Sequence, residues 1–211
     1  MKNLIAVPCM DNISVKFAES LLALDKHCAP VSFKPNSLVY DARNLMALYA
    51  IEQKYDNVLW IDSDMTFPPD AMTVLLGTMR ENNVHMATGI YFKRHFPTSP
   101  VLYSALDEPI VVNGKPTRRI TEFTNYPRNS VFPVRGCGFG FCITSVALLK
   151  RVFDEFGPAF TPYPWAGEDI SFCHRVNLLG QTILCNSSVS CGHVGTLVYD
   201  ENLFLSSKEG E

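Results

Sequence analysis

The sequence lacks the features of a membrane protein. None of its apolar runs reaches the roughly 20 residues that a membrane-spanning helix needs. The apolar part of the N-terminal segment, residues 4–7, is too short for the core of a signal peptide and is typical of a first strand. We therefore expect no transmembrane segment and a cytoplasmic location.

Charge and paired cysteines are also scarce. Charged residues make up 18% of the 211 residues and the net charge is −3, which excludes a surface that binds polyanions as a whole. Hydrophobic residues reach 47%, so the chain is not disordered and can bury the core of one sizeable domain. The 7 cysteines are odd in number and include no C-x-x-C pair, which favours reduced, buried thiols over a disulfide framework.

One short stretch organises the rest of the chain. Four apolar residues, 58–61, run directly into Asp62-Ser63-Asp64. Such a run is typical of a strand buried on both faces, and its acids then fall at the carboxyl end, where open α/β sheets bind ligands. Asp62 and Asp64 lean to the same side of an extended backbone and repel each other unless a cation, such as Mn²⁺ or Mg²⁺, lies between them. A solvated strand-to-turn junction is the alternative.

The order of the remaining elements predicts the fold class. Strands and helices alternate through the first third, which indicates an α/β fold with a mostly parallel central sheet and flanking helices. The predicted strands are residues 4–7, 31–33, 58–61, 84–90 and 182–185, and the predicted helices are residues 15–24, 41–54, 70–81, 145–156 and 168–179, the last ended by Gly180.

The middle of the chain departs from this alternation. Residues 109–112 and 117–123 flank Asn113-Gly114, which predicts a β-hairpin, and a loop rich in Pro, Asn and Arg follows over residues 124–135. We predict a single domain over residues 1–195, with a hairpin and loop insertion over 104–135. A C-terminal tail over 196–211 is expected, polar and disordered from Ser206.

Two later features add candidate site residues. Trp165-Ala166-Gly167-Glu168-Asp169 places two acids at the start of a helix, where the helix dipole by itself favours acids. His193 lies beside Cys191, and the two could instead form half of a structural zinc site with Cys185 or His174, although the spacing fits no recognised zinc pattern.

The order of these motifs resembles the GT-A fold of family-2-like nucleotide-sugar glycosyltransferases, over residues 1–195. Asp62-Ser63-Asp64 matches the D-x-D motif that holds Mn²⁺ or Mg²⁺ on the donor diphosphate, and His193 falls where many members place a late metal-ligand histidine. Residues 165–169 look like the W-G-G-E-D segment of inverting galactosyltransferases, with Ala166 in place of one glycine. Asp41-Ala42-Arg43-Asn44 resembles the helix segment that lines the nucleotide pocket. Pairing of Arg43 with Asp41 or another carboxylate is the alternative.

The resemblance implies a role for each site residue. Asp169 would be the general base and Glu168 would contact the acceptor. Asp64 would bind the metal directly together with His193, and Asp62 would bind it through water or hold the ribose. The residues expected to bind the donor are Pro8, Asp11, Asp41, Arg43, Asp62, Ser63, Lys93, Arg94, Gly138 and Trp165.

Some of these donor contacts have a basis in the residues themselves. Lys93 and Arg94 follow a predicted strand end and could meet phosphate oxygens. The glycine-rich run over residues 136–140 is followed by no Lys-Ser/Thr pair, which argues against a P-loop and favours close approach of backbone to a sugar. Trp165 lies in a polar, Pro-rich loop, which favours exposure over burial in the core.

Two functions remain open at this point. The first is a metal-dependent, inverting glycosyltransferase, for which a UDP-sugar is the favoured donor. The second is a nucleotide-sugar-binding or nucleotidyltransferase-like protein that shares the sheet and the metal-binding acids but transfers no sugar. The second function needs no general base, so the role of Asp169 distinguishes the two.

The charge distribution bears on the acceptor. Residues 93–135 contain seven basic residues and three acidic ones, a net charge of +4 in a chain of net charge −3. A basic insertion favours an anionic acceptor, and nucleic acid with a hydroxymethylated base, as in phage DNA modification, is one candidate. A glycan or lipid-linked acceptor is the rival, and a solvated charged face is the third alternative.

Overall fold

A computed structural model describes residues 1–10, 12–35, 37–195 and 198–208, so the prediction for Asp11 lies outside the described residues. The strands are β1 (Asn3–Pro8), β2 (Val31–Lys34), β3 (Asn57–Ile61), β4 (Met65–Thr66), β5 (Met86–Ile90), β6 (Leu102–Val112), β7 (Lys115–Glu122), β8 (Val131–Val134), β9 (Gly136–Cys137), β10 (Phe141–Ser145), β11 (Ile183–Ser190), β12 (Gly192–Val194) and β13 (Val198–Tyr199). The helices are α1 (Val15–Ala23), α2 (Val39–Glu52), α3 (Ala71–Glu81), α4 (Val146–Phe156), α5 (Glu168–Leu178) and α6 (Glu201–Lys208).

The main sheet has the order β2-β1-β3-β10-β5-β11-β8 in the described part of the chain. Strands β2, β1, β3, β5 and β11 point the same way, and β10 and β8 run antiparallel to their neighbours. The predicted α/β class with a mostly parallel central sheet is therefore confirmed. Two smaller three-stranded sheets, β13-β12-β4 and β7-β6-β9, extend from it.

Strand β3 lies between two apolar layers, and every one of its residues is buried. Trp60 contributes to the layer that contains Phe160 and Phe172, whereas Leu59 and Ile61 contribute to the layer on the other side of the sheet. Alternate side chains of a strand point to opposite faces, so an apolar run of this kind can only be satisfied at the centre of a sheet. The acids that follow it therefore emerge at the edge of the sheet.

Helix boundaries follow local hydrogen-bonding chemistry. Ser14 and Ser145 cap α1 and α4, and their hydroxyl oxygens accept hydrogen bonds from backbone N–H groups three residues later, at 3.0 and 3.1 Å. Helix α5 starts on the predicted acids without a side-chain cap. Gly180, with φ of +68°, follows the C-cap residue Leu179, in agreement with the predicted end of this helix.

The central hairpin is longer than predicted. Its turn is Asn113-Gly114, as expected, and both residues have positive φ, 51° and 73°. Strand β6, however, starts at Leu102, because Leu102 and Tyr103 pair with β9 and Tyr103 also pairs with Glu122 of β7.

The predicted loop over residues 124–135 is wrong for residues 131–134, which form the edge strand β8. Phe132 and Val134 alternate inward and are buried, while Val131 is exposed. Pro133 obscures this alternation in the sequence, yet an edge strand tolerates a residue that has no N–H to donate.

The segment after residue 195 is not a free tail in its described part. Residues 201–208 form α6, so the prediction of disorder from Ser206 is wrong for residues 206–208. Phe204 is 4% exposed and stacks on Phe92 and Tyr126, with ring centroids 5.1 and 6.1 Å apart. The buried Phe204 ring thus holds α6 on the domain together with Glu201, which accepts a hydrogen bond from the Tyr126 hydroxyl at 3.0 Å.

None of the helices in the described residues is both long and apolar enough to span a membrane. Five of the seven cysteines, Cys137, Cys142, Cys173, Cys185 and Cys191, are buried as thiols, as expected from their spacing. The cytoplasmic location stays a prediction.

Candidate active site

A cleft of about 440 Å³ opens at the carboxyl ends of β1 and β3. It is lined by Pro8, Cys9, Met10, Ser37, Leu38, Val39, Asp62, Ser63, Asp64, Arg94 and His193. Six of these residues were predicted from the sequence as donor-binding or metal-binding residues. The fold therefore brings the start of the chain, the D-x-D acids and the late histidine to one edge of the sheet.

A small sheet explains how His193 reaches the acids. Strand β12 pairs with β4, so that His193 lies opposite Met65, and the N–H of Val194 donates to the carbonyl of Asp64 at 2.7 Å. Gly192 opposes Thr66, whose hydroxyl would lie 2.5 Å from any Cβ at that position. The absence of a side chain at Gly192 lets the two short strands come this close.

The orientation of the His193 ring is set by a backbone carbonyl. Its Nδ1 lies 2.9 Å from the carbonyl oxygen of Phe92, which can only accept, so we assign the ring hydrogen to Nδ1. In the neutral ring Nε2 then carries a lone pair, and Nε2 lies 3.4 Å from Asp64 Oδ2. A proton or a metal ion between these two atoms is needed to make the contact favourable.

The two oxygens of Asp64 have different surroundings. Arg94 Nη1 lies 2.8 Å from Oδ2, the same oxygen that faces His193. Asp64 Oδ1 is buried and has no hydrogen-bond partner among the described residues. Burial would raise the pKa of Asp64. A hydrogen bond and a positive charge from His193, which the ring supplies when both nitrogens carry a proton, and the charge of Arg94 outweigh burial, so the pKa of Asp64 is lowered and its carboxylate is ionised.

The other D-x-D acid is held by a buried arginine. Arg43, on α2, is 2% exposed; its Nη2 donates to Asp62 Oδ1 at 2.6 Å and its Nη1 pairs with Glu168 Oε1. Burial alone would lower the pKa of Arg43, but the two carboxylates outweigh it and the pKa is raised. The Phe139 ring lies 5.3 Å from the guanidinium carbon and covers the cation. Arg43 therefore links Asp62 of the D-x-D motif to Glu168 in the first turn of α5.

Asp169 is half-buried beside this cluster. Its Oδ1 accepts a hydrogen bond from the N–H of Ile170 at 2.7 Å. Burial raises the pKa of Asp169 to about 6, with a further contribution from the charge of Glu168, and Arg43 opposes both. The carboxylate is thus ionised at neutral pH yet a stronger base than an ordinary aspartate, which is the property that a general base requires.

Three of the residues predicted to bind the donor contact other groups of the protein. Arg43 uses both terminal nitrogens on protein carboxylates, which favours a positioning role over the direct donor contact expected from sequence. The Lys93 ammonium pairs with Glu122 of β7 instead of facing the cleft. The space left by Gly138 is taken by Tyr91, whose hydroxyl oxygen would lie 1.8 Å from a Cβ there, so the glycine serves packing rather than an open approach to a sugar.

The remaining predicted residues lie at the borders of the site. Asp41 is exposed in the first turn of α2, and Asn44 Oδ1 accepts from the Phe160 N–H at 2.9 Å. Trp165 is only partly buried and stacks on Tyr163, with ring centroids 5.3 Å apart and planes 8° apart. Their contacts with a donor stay predictions.

The alternative zinc site is not assembled. Within the described residues, no group of three or more His, Cys, Asp and Glu side chains is arranged to hold a metal ion. The ring edge of His174 instead packs on Tyr163 and Trp165, and buried Cys191 has a raised pKa because of its burial, so its thiol stays protonated. Asp64 and His193 remain as a pair of candidate metal ligands.

Sequence reasoning missed two residues that shape the site. Tyr91 is buried between the glycine run and His193: its hydroxyl accepts from the Gly140 N–H at 3.2 Å, and its ring meets the His193 ring edge to face at 5.6 Å. An aromatic residue directly after a predicted strand was the only signal for it. The Phe92 carbonyl, which orients His193, has no signal in the sequence at all.

Comparison with known proteins gives the fold a name. No family model matches the chain, and no curated protein sequence matches it. The crystal structure of A197 from STIV superposes with a TM-score of 0.67 at 19% identity, over 92% of this chain and 86% of that chain. The crystal structure of GalNAc-T7 with UDP, GalNAc and Mn²⁺ superposes with a TM-score of 0.61 at 9% identity.

The chain has a GT-A-like fold. The superposition with GalNAc-T7 covers 92% of this chain but 43% of that chain, so the likeness concerns less than half of that chain. At these identities the likeness establishes the fold alone, and the function has to be argued from the site.

Proposed function

We propose that this protein is a metal-dependent glycosyltransferase that moves a sugar from a nucleoside-diphosphate sugar to an acceptor hydroxyl. The observation that carries the proposal is the Asp64–His193 pair at the edge of the cleft, with Nε2 of the histidine aimed at the carboxylate. A UDP-sugar is the first donor to test, because the similar fold of GalNAc-T7 was solved with UDP and Mn²⁺.

The two residues suit a divalent cation. Asp64 offers its Oδ2 oxygen, 3.4 Å from His193 Nε2, and His193 offers a nitrogen whose ring is held by the Phe92 carbonyl, the kind of second contact that orients histidine ligands. Mn²⁺ or Mg²⁺ accepts this donor set and takes further ligands from phosphate oxygens. Such a cation would neutralise the charge of a diphosphate leaving group. Asp62, held by Arg43, would bind the cation through water or hold the ribose.

The acceptor side of the proposal rests on the first turn of α5. Asp169 would take the proton of the acceptor hydroxyl, and Glu168 would contact the acceptor while Arg43 holds it in place. A base that activates the incoming hydroxyl for direct displacement inverts the configuration of the sugar, so we expect an inverting reaction.

Nucleotide binding in the presence and absence of metal tests the proposal. Thermal unfolding would be followed with UDP and a panel of nucleotide sugars, in Mn²⁺ and in EDTA. We expect a ligand-dependent rise in the midpoint that needs Mn²⁺, grows with ligand concentration and is lost in Asp64→Ala. Asp154→Ala removes an exposed acid of α4 and is the matched control. Equal shifts in EDTA and Mn²⁺ would contradict a metal site.

The second candidate function is a nucleotide-sugar-binding or nucleotidyltransferase-like protein without sugar transfer. The cleft and Asp64 would serve that function equally, but it leaves Asp169 without a task. If Asp169→Asn keeps full turnover while Asp64→Ala loses it, the second function is favoured.

We further propose an anionic acceptor, with nucleic acid as the first candidate. The hairpin carries Arg118 and Arg119, both exposed, on β7. Ion pairing reduces the basic excess of this region, because Arg94 pairs with Asp64 and Arg128 with Glu201. The basic surface is therefore narrower than the composition indicates. Arg118 and Arg119 are the residues to test because they are adjacent and exposed on the hairpin.

Binding of duplex DNA as a function of salt tests this acceptor. We expect an affinity that falls steeply with salt, with a shallower dependence in the Arg118→Ala/Arg119→Ala variant, since each lost phosphate contact reduces the slope by about one. Lys150→Ala/Arg151→Ala on α4 removes the same charge elsewhere and is the control. Absence of DNA binding at low salt would favour a glycan or lipid-linked acceptor.

A further inference from the structure

Two groups compete for one oxygen of Asp64. Arg94 Nη1 lies 2.8 Å from Oδ2, and His193 Nε2 lies 3.4 Å from the same atom. The lone pair of Nε2 and the carboxylate define the place where a metal ion would bind. The guanidinium of Arg94 contacts the same oxygen, Oδ2, and supplies the positive charge that the carboxylate needs.

Arg94 is held loosely compared with the other arginine of the site. Its side chain is 48% exposed, and its second contact, to the carbonyl of Val194, is long at 3.4 Å. Arg43, in contrast, is 3% exposed in its side chain and bridges two carboxylates. Arg94 can therefore leave Asp64 without exposing buried surface, whereas Arg43 cannot.

Arg94 would also lie beside a nucleotide bound in the cleft. It lines the same cleft as Pro8, Ser63 and His193. A guanidinium presents paired N–H donors that match phosphate oxygens, which makes arginine well suited to a diphosphate once it is released from a carboxylate.

We propose that Arg94 exchanges partners on donor binding: it neutralises Asp64 in the nucleotide-free protein and moves to the donor's diphosphate when a divalent cation binds Asp64 and His193. This inference rests on the proposed function. Because the cation and Arg94 exclude each other from Oδ2, the cation binds weakly by itself. A diphosphate that accepts Arg94 relieves this competition, so cation and nucleotide each strengthen the binding of the other by the same factor.

Removing Arg94 should change the two affinities in opposite directions. Mn²⁺ binding without nucleotide would be measured from the EPR signal of the free ion, and UDP binding at saturating Mn²⁺ by calorimetry. In Arg94→Met we expect Mn²⁺ alone to bind about 10-fold more tightly and UDP about 10-fold more weakly than in the wild type, the size of one lost charge-assisted contact. Arg94→Lys keeps the charge but not the paired N–H donors, so both of its affinities should lie between those of the wild type and those of Arg94→Met.

Arg128→Met, which removes an exposed arginine paired with Glu201, is the control and should change neither affinity. Weaker binding of both ligands in Arg94→Met would indicate a merely structural role and overturn the exchange. Unchanged Mn²⁺ affinity would overturn it too, and would leave the proposed function standing. If neither protein binds Mn²⁺ and UDP binds equally well in EDTA, the metal site of the proposed function fails together with the exchange.

Discussion

Arg43→Met tests whether the buried arginine holds the two halves of the site together. The substitution keeps an unbranched side chain of helix-forming character but removes the charge. Asp62 and Glu168 then lose their common partner, and their side chains are only 33% and 16% exposed. Two ionised carboxylates are left next to each other in a poorly hydrated place, which is the costly way to break a buried ion pair.

The expected loss of stability follows from this burial. Removing one partner of a buried pair costs about 3–5 kcal/mol. Asp62 has enough exposure to regain some water, so we place the loss at the lower end, about 3 kcal/mol. For a domain of this size that corresponds to a fall of about 6–12 °C in the thermal midpoint.

Urea unfolding of the wild type and the variant would measure this loss. Lys150→Met is the control, because it removes a cation from the exposed pair with Asp154 and should cost less than about 1 kcal/mol. Glu168→Gln added to Arg43→Met should restore part of the stability, since it removes one uncompensated charge. A loss in Arg43→Met no larger than in Lys150→Met would refute the claim that Arg43 holds the site together.

Two further predictions concern the base and the glycine run. Asp169→Asn should lower turnover by about 10²–10⁴-fold with little change in donor binding, and wild-type kcat/KM should fall below about pH 6, where Asp169 takes up a proton. The raised pKa also means that ionisation of Asp169 lowers the stability of the folded protein. This loss is absent below the ordinary aspartate range, grows as the pH rises and is complete above about pH 6. Asp169→Asn should therefore gain stability over the wild type across this range, and a gain that is independent of pH would contradict this. Gly138→Ala should cost about 1–3 kcal/mol in urea unfolding through the clash with Tyr91. Tyr91→Phe in the same chain should restore part of that loss, and no restoration would show that Tyr91 is not the obstacle.

The parts of the fold that sequence predicts are those set by local pattern. The apolar run of β3, followed directly by Asp62 and Asp64, places two acids at a sheet edge whatever the rest of the chain does. The helix that begins at Glu168 and stops before Gly180 is equally local, since first-turn acids and a residue with positive φ mark its ends.

What sequence does not reveal depends on pairing across long separations. Strand β4 has two residues and exists because β12 pairs with it, so no local pattern predicts that His193 lies beside Asp64. Arg43 was expected to contact the donor, but its partner Glu168 is 125 residues away and only the tertiary fold brings them together. Pro133 makes β8 hard to predict for the same reason, because a proline is tolerated in a strand only where that strand lies at the edge of a sheet.

Release of nucleoside diphosphate from a nucleotide sugar is the measurement that tests the central claim most directly. The wild type and Asp64→Ala would be incubated with each donor that stabilises the protein, in Mn²⁺ and in EDTA, with and without acceptor. The Asp64–His193 site predicts release that requires Mn²⁺, is stimulated by the correct acceptor and is lost in Asp64→Ala. Release that proceeds equally in EDTA, or that survives in Asp64→Ala, would contradict a metal-dependent glycosyltransferase.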